Sequence, residues 1–364
     1  MSTTPVSQNF SQTYKEARGK FLAAAEAASL DVHSHQHPML GRDGELLAMD
    51  VVRDGPADAA SLLVISSACH GVEGFCGSGV QTALLGDRAW RAAAADARVA
   101  VLYIHALNPY GFSWWRRTTQ ENVDLNRNFH DFSQPLPDNA AYDALAGAIV
   151  PASWPPSEEN DALLHAYAAT HGMAKLQEVI TGGQYSQPEG LFYGGRNPTW
   201  SHVTLRHVLQ QHATRCAQLG WIDLHTGLGP SGLGERIFAC RDDAIALKRA
   251  RAWWGDEVTS IYDGSSTSAP LQGLMWLAAY QEAPQAEYTG IALEYGTLAI
   301  RDMIDALRAD QWLENHPDAP ETQRTQIKRQ MRDAFYIDTD AWKQQVIEQA
   351  VDAAHGAVRG LAQR

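Results

Sequence analysis

The stretch Ser61–His105, SLLVISSACHGVEGFCGSGVQTALLGDRAWRAAAADARVAVLYIH, decides the fold class. Its first apolar run, Ser61 to Cys69, is of the kind that a sheet covered on both faces buries. A helix is expected next, roughly Gly79 to Ala95. A second apolar run, Val99 to Ala106, closes the unit as another buried strand. Strand, helix and strand within about 45 residues make a βαβ unit, which predicts a parallel sheet.

Upstream, Phe10, Tyr14, Ala17, Phe21 and Ala24 recur at helical spacing and predict a helix over 9–29. Two strands, 30–37 and 45–53, are expected around the turn Gly41–Gly44. His33, His35 and His37 share one face of the first strand, as metal ligands would. Pro38 follows and no carboxylate or thiol is nearby, so an exposed or edge strand is the reading preferred. Downstream, prolines punctuate 130–200, with one helix expected over Glu158–Val179 and a Gly- and aromatic-rich cleft loop over 182–200. Then come a helix at 203–218, strands at 220–225, 236–240 and 290–294, and a helix at 242–255. Residues beyond Leu298 read as helical, and Trp342, Val346, Ala350, Ala354 and Val358 mark the last helix.

No linker interrupts the chain, so one α/β domain over 1–364 is expected. It has a mixed, largely parallel twisted sheet with helices on both faces. Residues 130–200 form an insertion-like cleft segment, and 299–364 a helical C-terminus.

The chain has 364 residues, 45% of them hydrophobic, and a net charge of −13. That charge excludes a general nucleic-acid or anionic-membrane binder, which needs a basic face. No apolar run approaches the roughly 20 residues of a membrane helix. The opening residues show no basic run followed by an apolar one, so a cytoplasmic location is expected. Cys69, Cys76, Cys216 and Cys240 contain no Cys-x-x-Cys pair and read as free buried thiols.

The candidate chemistry lies where strands end. His70 ends the first apolar run, and Glu73 follows in the turn. His225 ends Gly-Trp-Ile-Asp-Leu, and Glu294 ends Gly-Ile-Ala-Leu. Ligands of open parallel sheets bind beyond the carboxyl ends of strands, so these groups are expected on one rim. Two imidazoles and a carboxylate, His70, Glu73 and His225, make a His₂Glu zinc shell with a position left for water. The competing reading is two core histidines and a helix-start carboxylate. Glu294 is a candidate general base, or else half of a structural ion pair. Asp223 stands where it can orient the His225 ring, or serve as a buried structural acid. Asn126-Arg127-Asn128 offers amides and a guanidinium fork suited to a carboxylate.

In order along the chain, His70-Gly-Val-Glu73, Asn108-Pro-Tyr-Gly111, Asn122-Val-Asp-Leu-Asn-Arg-Asn128, Leu224-His225-Thr226 and Leu293-Glu294-Tyr-Gly resemble the M14 zinc carboxypeptidases. Asp223-Leu-His-Thr-Gly-Leu-Gly-Pro230 and Gly190-Leu-Phe-Tyr-Gly-Gly195 resemble the DUF2817 branch of that superfamily. The resemblance implies His70, Glu73 and His225 as ligands of one zinc ion and Glu294 as the general base. It implies Asn126 and Arg127 as the grip on a terminal carboxylate. Arg117 is implied at the scissile carbonyl, with Arg116 the competitor. Tyr262 is the implied closing tyrosine. Tyr110 stands where many members have Asp, which is expected to be tolerated because the turn needs mainly Pro and Gly.

Three decoys compete. Gly227-Leu-Gly-Pro-Ser-Gly232 fits a dinucleotide fingerprint, but the next segment looks extended rather than helical. Cys69 and Cys76 flank the metal motif, although their apolar neighbours favour inert thiols. Trp114-Trp115 beside Arg116-Arg117 suggests base stacking, yet a cleft wall suits an acidic chain better.

The expected protein is therefore a zinc-dependent hydrolase. It would cleave a C-terminal residue from a small peptide or amino-acid conjugate bearing a free carboxylate. The rivals are an N-acyl-amino-acid deacylase of the aspartoacylase type and a non-catalytic carboxylate-binding protein.

Overall fold

Seven strands form a single sheet in a computed structural model that describes residues 6–362. They are β1 (Val32–Leu40), β2 (Leu46–Asp54), β3 (Ser61–Ser67), β4 (Val99–His105), β5 (Gln218–Gly227), β6 (Gly234–Phe238) and β7 (Glu287–Gly296). Their order is β1-β2-β4-β3-β5-β7-β6. The four central strands, β4, β3, β5 and β7, are parallel. The outer strands β1, β2 and β6 pair antiparallel. After β3 the chain crosses to β4 on one side and then returns to β5 on the other. The order therefore reverses between β3 and β5, the place where such sheets bind ligands.

Strand character follows burial on both faces. Every residue of β4 is buried, and so is all of β3 except Ser61. Such strands need continuous apolar runs rather than alternation, which is why these two are plain in the sequence. Helices at Tyr14–Ala27, Gly74–Gly86 and Asp340–Ala362 are among those that cover the sheet.

Two long expected helices are each two. The one expected over 79–95 is Gly74–Gly86 followed by Arg88–Asp96. Asp87 is extended, and its carboxylate accepts from the N–H groups of Ala89 and Trp90, so it caps a new helix instead of continuing the old. The one expected over 158–179 breaks at Gly172, whose φ of 89° leaves the helical region. A helix at Ala140–Ile149, capped by Asn139, was not anticipated. The histidine-bearing β1 is an edge strand, as expected, and runs through Pro38. Among the described residues no helix is long and apolar enough to cross a membrane.

Candidate active site

The turn after β3 carries His70 and Glu73, and a close backbone contact holds it in place. A Cβ on Gly71 would lie 2.1 Å from the carbonyl carbon of Gly111. Only glycine allows this approach. It lets Gly71 and Val72 donate N–H bonds to the carbonyls of Arg117 (3.1 Å) and Arg116 (2.8 Å). Asn108 caps the Pro109–Trp114 helix by accepting from the Gly111 N–H at 2.9 Å. The side chain of Tyr110 takes no part in that cap. The βαβ connection and the arginine segment are thus joined directly.

His70, Glu73 and His225 are buried, and their ligand atoms all lie within 4.8 Å of one another. The two Nδ1 atoms are 3.3 Å apart. Glu73 Oε1 is 2.8 Å from His70 Nδ1, and Glu73 Oε2 is 3.0 Å from His225 Nδ1. Two nitrogens bound to tetrahedral zinc at about 2.0–2.1 Å stand about 3.3 Å apart, so the spacing suits that ion. The far nitrogen of each ring faces a carboxylate: His225 Nε2 is 2.6 Å from Asp223, and His70 Nε2 is 3.3 Å from Asp124. Outer carboxylates of this kind orient metal-ligating imidazoles.

Arg117 Nη2 lies 2.7 Å from His70 Nε2. Burial alone would lower the pKa of His225, but Asp223 and Glu73 outweigh it and hold the ring well above the ordinary imidazole range. Burial opposes ionisation of Glu73, yet His70 and His225 hold its carboxyl well below the usual range. A buried carboxylate within 3.0 Å of two imidazole nitrogens is a donor set that fits a divalent cation.

The remaining groups line one cavity with this cluster: Arg117, Asn126, Arg127, Asp223 and Glu294. Glu294, opposite His225 in the β5–β7 register, accepts from the Leu228 N–H at 2.9 Å. Burial, and then the charge of Glu73, push its pKa up to about 7. Arg117 pairs with Asp124 at 2.9 Å and reaches Glu73 at 3.4 Å. Arg116 turns the other way, to Asp310, Glu314 and Asn122, and so lies outside the cavity. Arg127 is buried, yet it donates only to the backbone carbonyls of Thr181 and Asn126. No carboxylate pairs with it among the described residues. Asn126 Oδ1 accepts from the Met275 N–H at 2.9 Å.

Tyr262 is not brought to this site. It is 43% exposed, and its hydroxyl donates to the Cys240 carbonyl at 2.9 Å. Its neighbour Ile261 lines the cavity in its place. The two tryptophans are not a cleft wall. Trp115 lies under the Arg42 guanidinium, and Trp114 Nε1 donates to the Leu40 carbonyl of β1. Gly227–Gly232 leads into strand β6, so no helix follows to hold a pyrophosphate. Burial pushes the Cys69 and Cys76 thiols well above their ordinary range, which leaves them protonated and inert. Asp124 is the residue beside the cluster that spacing missed. It is fully buried, bonds Arg117, faces His70, and sits inside the quoted Asn122–Asn128 motif.

The sheet order and the buried His-Glu-His cluster at its switch point define an α/β fold of the zinc-carboxypeptidase type. The chain belongs to the DUF2817 family, described as proteins of unknown function, whose sequence profile matches residues 10–349. No functionally curated protein matches it. Bovine thrombin-activatable fibrinolysis inhibitor, solved with a tick carboxypeptidase inhibitor, has a similar structure, with a TM-score of 0.50, 9% identity, and coverage of 97% of this chain and 98% of the other. Carboxypeptidase A from Helicoverpa armigera has a TM-score of 0.43 at 14% identity, covering 89% and 74%. A metallo-carboxypeptidase from Burkholderia cenocepacia has a TM-score of 0.42 at 11% identity, covering 96% and 68%. At these identities the likeness is one of fold.

Proposed function

We propose that the protein is a metal-dependent carboxypeptidase that releases the C-terminal residue of a peptide or peptide-like substrate. The observation that carries the reading is Arg127. A buried guanidinium without an acidic partner is costly unless a ligand supplies the anion. It lines the same cavity as the ligand set and Glu294.

Arg127 and Asn126 hold the substrate's free carboxylate, which fixes the scissile bond one residue from the chain end. His70, Glu73 and His225 would hold zinc, which supplies a Lewis acid and an activated water when bound. Arg117 places its N–H groups beside that cluster and stabilises charge developing on the carbonyl oxygen. Glu294, with a pKa near neutrality, accepts the proton of the attacking water at its carboxylate and passes it to the leaving amine. Asp124 and Asp223 position the two imidazoles and Arg117.

The experiment is product analysis by mass spectrometry, using a mixed pool of peptides, isopeptides and N-acyl amino acids with zinc or with chelator. Chelator-sensitive loss of a single C-terminal residue is expected. Amino acids released only from the acylated set would make the protein a deacylase. No product from any substrate would leave a carboxylate-binding protein.

A further inference from the structure

The motif Gly190-Leu-Phe-Tyr-Gly-Gly195 puts an aromatic ring where the backbone favours glycine. Phe192 has a φ of 54°, in the left-handed region that a β-carbon makes costly. Gly190, Gly194 and Gly195 lie close by in the chain, yet position 192 carries a ring. Its conformation is held from outside. The Phe192 carbonyl accepts from the Gln184 N–H at 3.2 Å, and the Leu191 carbonyl accepts from the Gln184 side chain at 3.2 Å. The Tyr193 carbonyl accepts from the Asp124 N–H at 2.8 Å. A strained residue that its surroundings fix beside a candidate site points to a role for its side chain.

That side chain lines the cavity and is 4% exposed. The Arg117 guanidinium carbon lies 5.0 Å from the ring centroid, and that of Arg127 lies 5.7 Å from it. Both are within the roughly 6 Å over which the negative face of a ring attracts a cation. We propose that Phe192 is the positioning residue of the carboxylate grip. Its ring holds the Arg127 guanidinium at the cavity wall without neutralising it, and steadies Arg117 in the same way. The proposal rests on the carboxypeptidase reading of this site.

Arg127 needs such a neighbour. Among the described residues, Nε and Nη2 donate to the Thr181 carbonyl and Nη1 donates to that of Asn126. A guanidinium carries two N–H groups on each terminal nitrogen, so one on each is left, a pair suited to the two oxygens of a carboxylate. A carboxylate from the protein itself would occupy that pair and disable the grip. Asp124 is the group able to do so. Burial lowers the pKa of Arg127, and the Asp124 charge opposes that without a bond between the two. Asp124 instead bonds Arg117 and faces His70. Gly183 backs the Arg127 stem so closely that a Cβ there would lie 2.9 Å from Cδ. With the ring removed, the guanidinium can turn towards Asp124, and its free N–H groups are lost to a ligand.

The test compares ligands with and without a C-terminal charge. N-acetyl-alanine and N-acetyl-alaninamide are titrated calorimetrically into the native chain, Phe192→Leu and Phe192→Gly, all in chelator so that no metal binds the carboxylate. Phe192→Leu keeps an apolar side chain, and Phe192→Gly relieves the backbone strain as it removes the ring. The native chain should prefer the carboxylate. Both variants should weaken that ligand about tenfold and leave the amide unchanged. In zinc-loaded protein the same variants should raise KM on peptides with a free C-terminus. A merely structural substitution would lower the active fraction, and so kcat, with KM unmoved. Full carboxylate preference in both variants, or a loss confined to kcat, would overturn the proposal and leave the carboxypeptidase reading intact. Carboxylate preference lost in the variants, with no peptide cleaved by the native chain, would keep the role of Phe192 and sink that reading instead. A native chain that binds the amide as tightly as the carboxylate would overturn both.

Discussion

Glu294 is held between two opposing demands. To act as a base it must ionise, yet burial and the neighbouring Glu73 charge raise its pKa to about 7 from an ordinary 4.5. A raised carboxyl pKa means that the folded state binds the extra proton. In metal-free protein its stabilising effect is therefore full below the unfolded value and disappears as pH rises through the folded one. Glu294→Gln removes that penalty. Thermal melts in chelator should show the variant more stable than the parent near pH 8.5, with the gap narrowing towards pH 5.5; a constant gap would contradict the raised pKa. In zinc-loaded protein the same variant should keep its metal, measured by elemental analysis, and lose turnover. Arg127 makes a different prediction. Its fork should give a free carboxylate two charge-assisted hydrogen bonds. Arg127→Ala should lower kcat/KM on free C-termini by about 100-fold. Equal losses on amidated peptides would show that Arg127 is not the anchor.

The element that matters most is the short turn between β3 and the Gly74–Gly86 helix. It presents two candidate ligands from one connection only because Gly71 lies against Gly111. A methyl there meets backbone, which cannot swing away as a flexible side chain would. Gly71→Ala should destabilise the fold by about 1–3 kcal/mol, as overpacking does. It should also weaken zinc binding, because His70 and Glu73 would move relative to His225. Denaturant melts and a competitive chelator titration would check both. Unchanged metal affinity in a destabilised variant would mean that the turn is not what sets the cluster.

At the scale of the molecule, a candidate site shared by β3, β5 and a distant arginine segment would couple metal loading to the whole sheet. Zinc that binds the folded chain alone stabilises it by mass action, about 2.7 kcal/mol at a hundredfold excess over Kd. For a chain of 364 residues that corresponds to a rise of roughly 3–4 °C in Tm. Zinc at this cluster would need neutral imidazoles and an ionised Glu73, so its binding should release protons. Calorimetry in buffers of different ionisation enthalpy should detect their release, and affinity should fall as pH falls. Zinc binding without proton release would place the ion elsewhere.

Much of this was legible along the chain. β3 and β4 are buried on both faces, so their apolar runs are unbroken and the parallel sheet follows from them. Polar residues that end such runs are polar because they face the rim, which is why His70, His225 and Glu294 stood out. What spacing could not supply is direction across the fold. Arg116 and Arg117 are neighbours, and only packing sends one to Asp310 and the other to the cluster. Tyr262 has the right type, but its hydroxyl reaches the Cys240 carbonyl instead of the cavity. Asp124 bonds Arg117 and faces His70, and only the fold brings those two side chains to it. Local pattern determines which segments become strands and where they end. Which side chains then share a cavity is set by sheet order and register, and these are properties of the assembled chain.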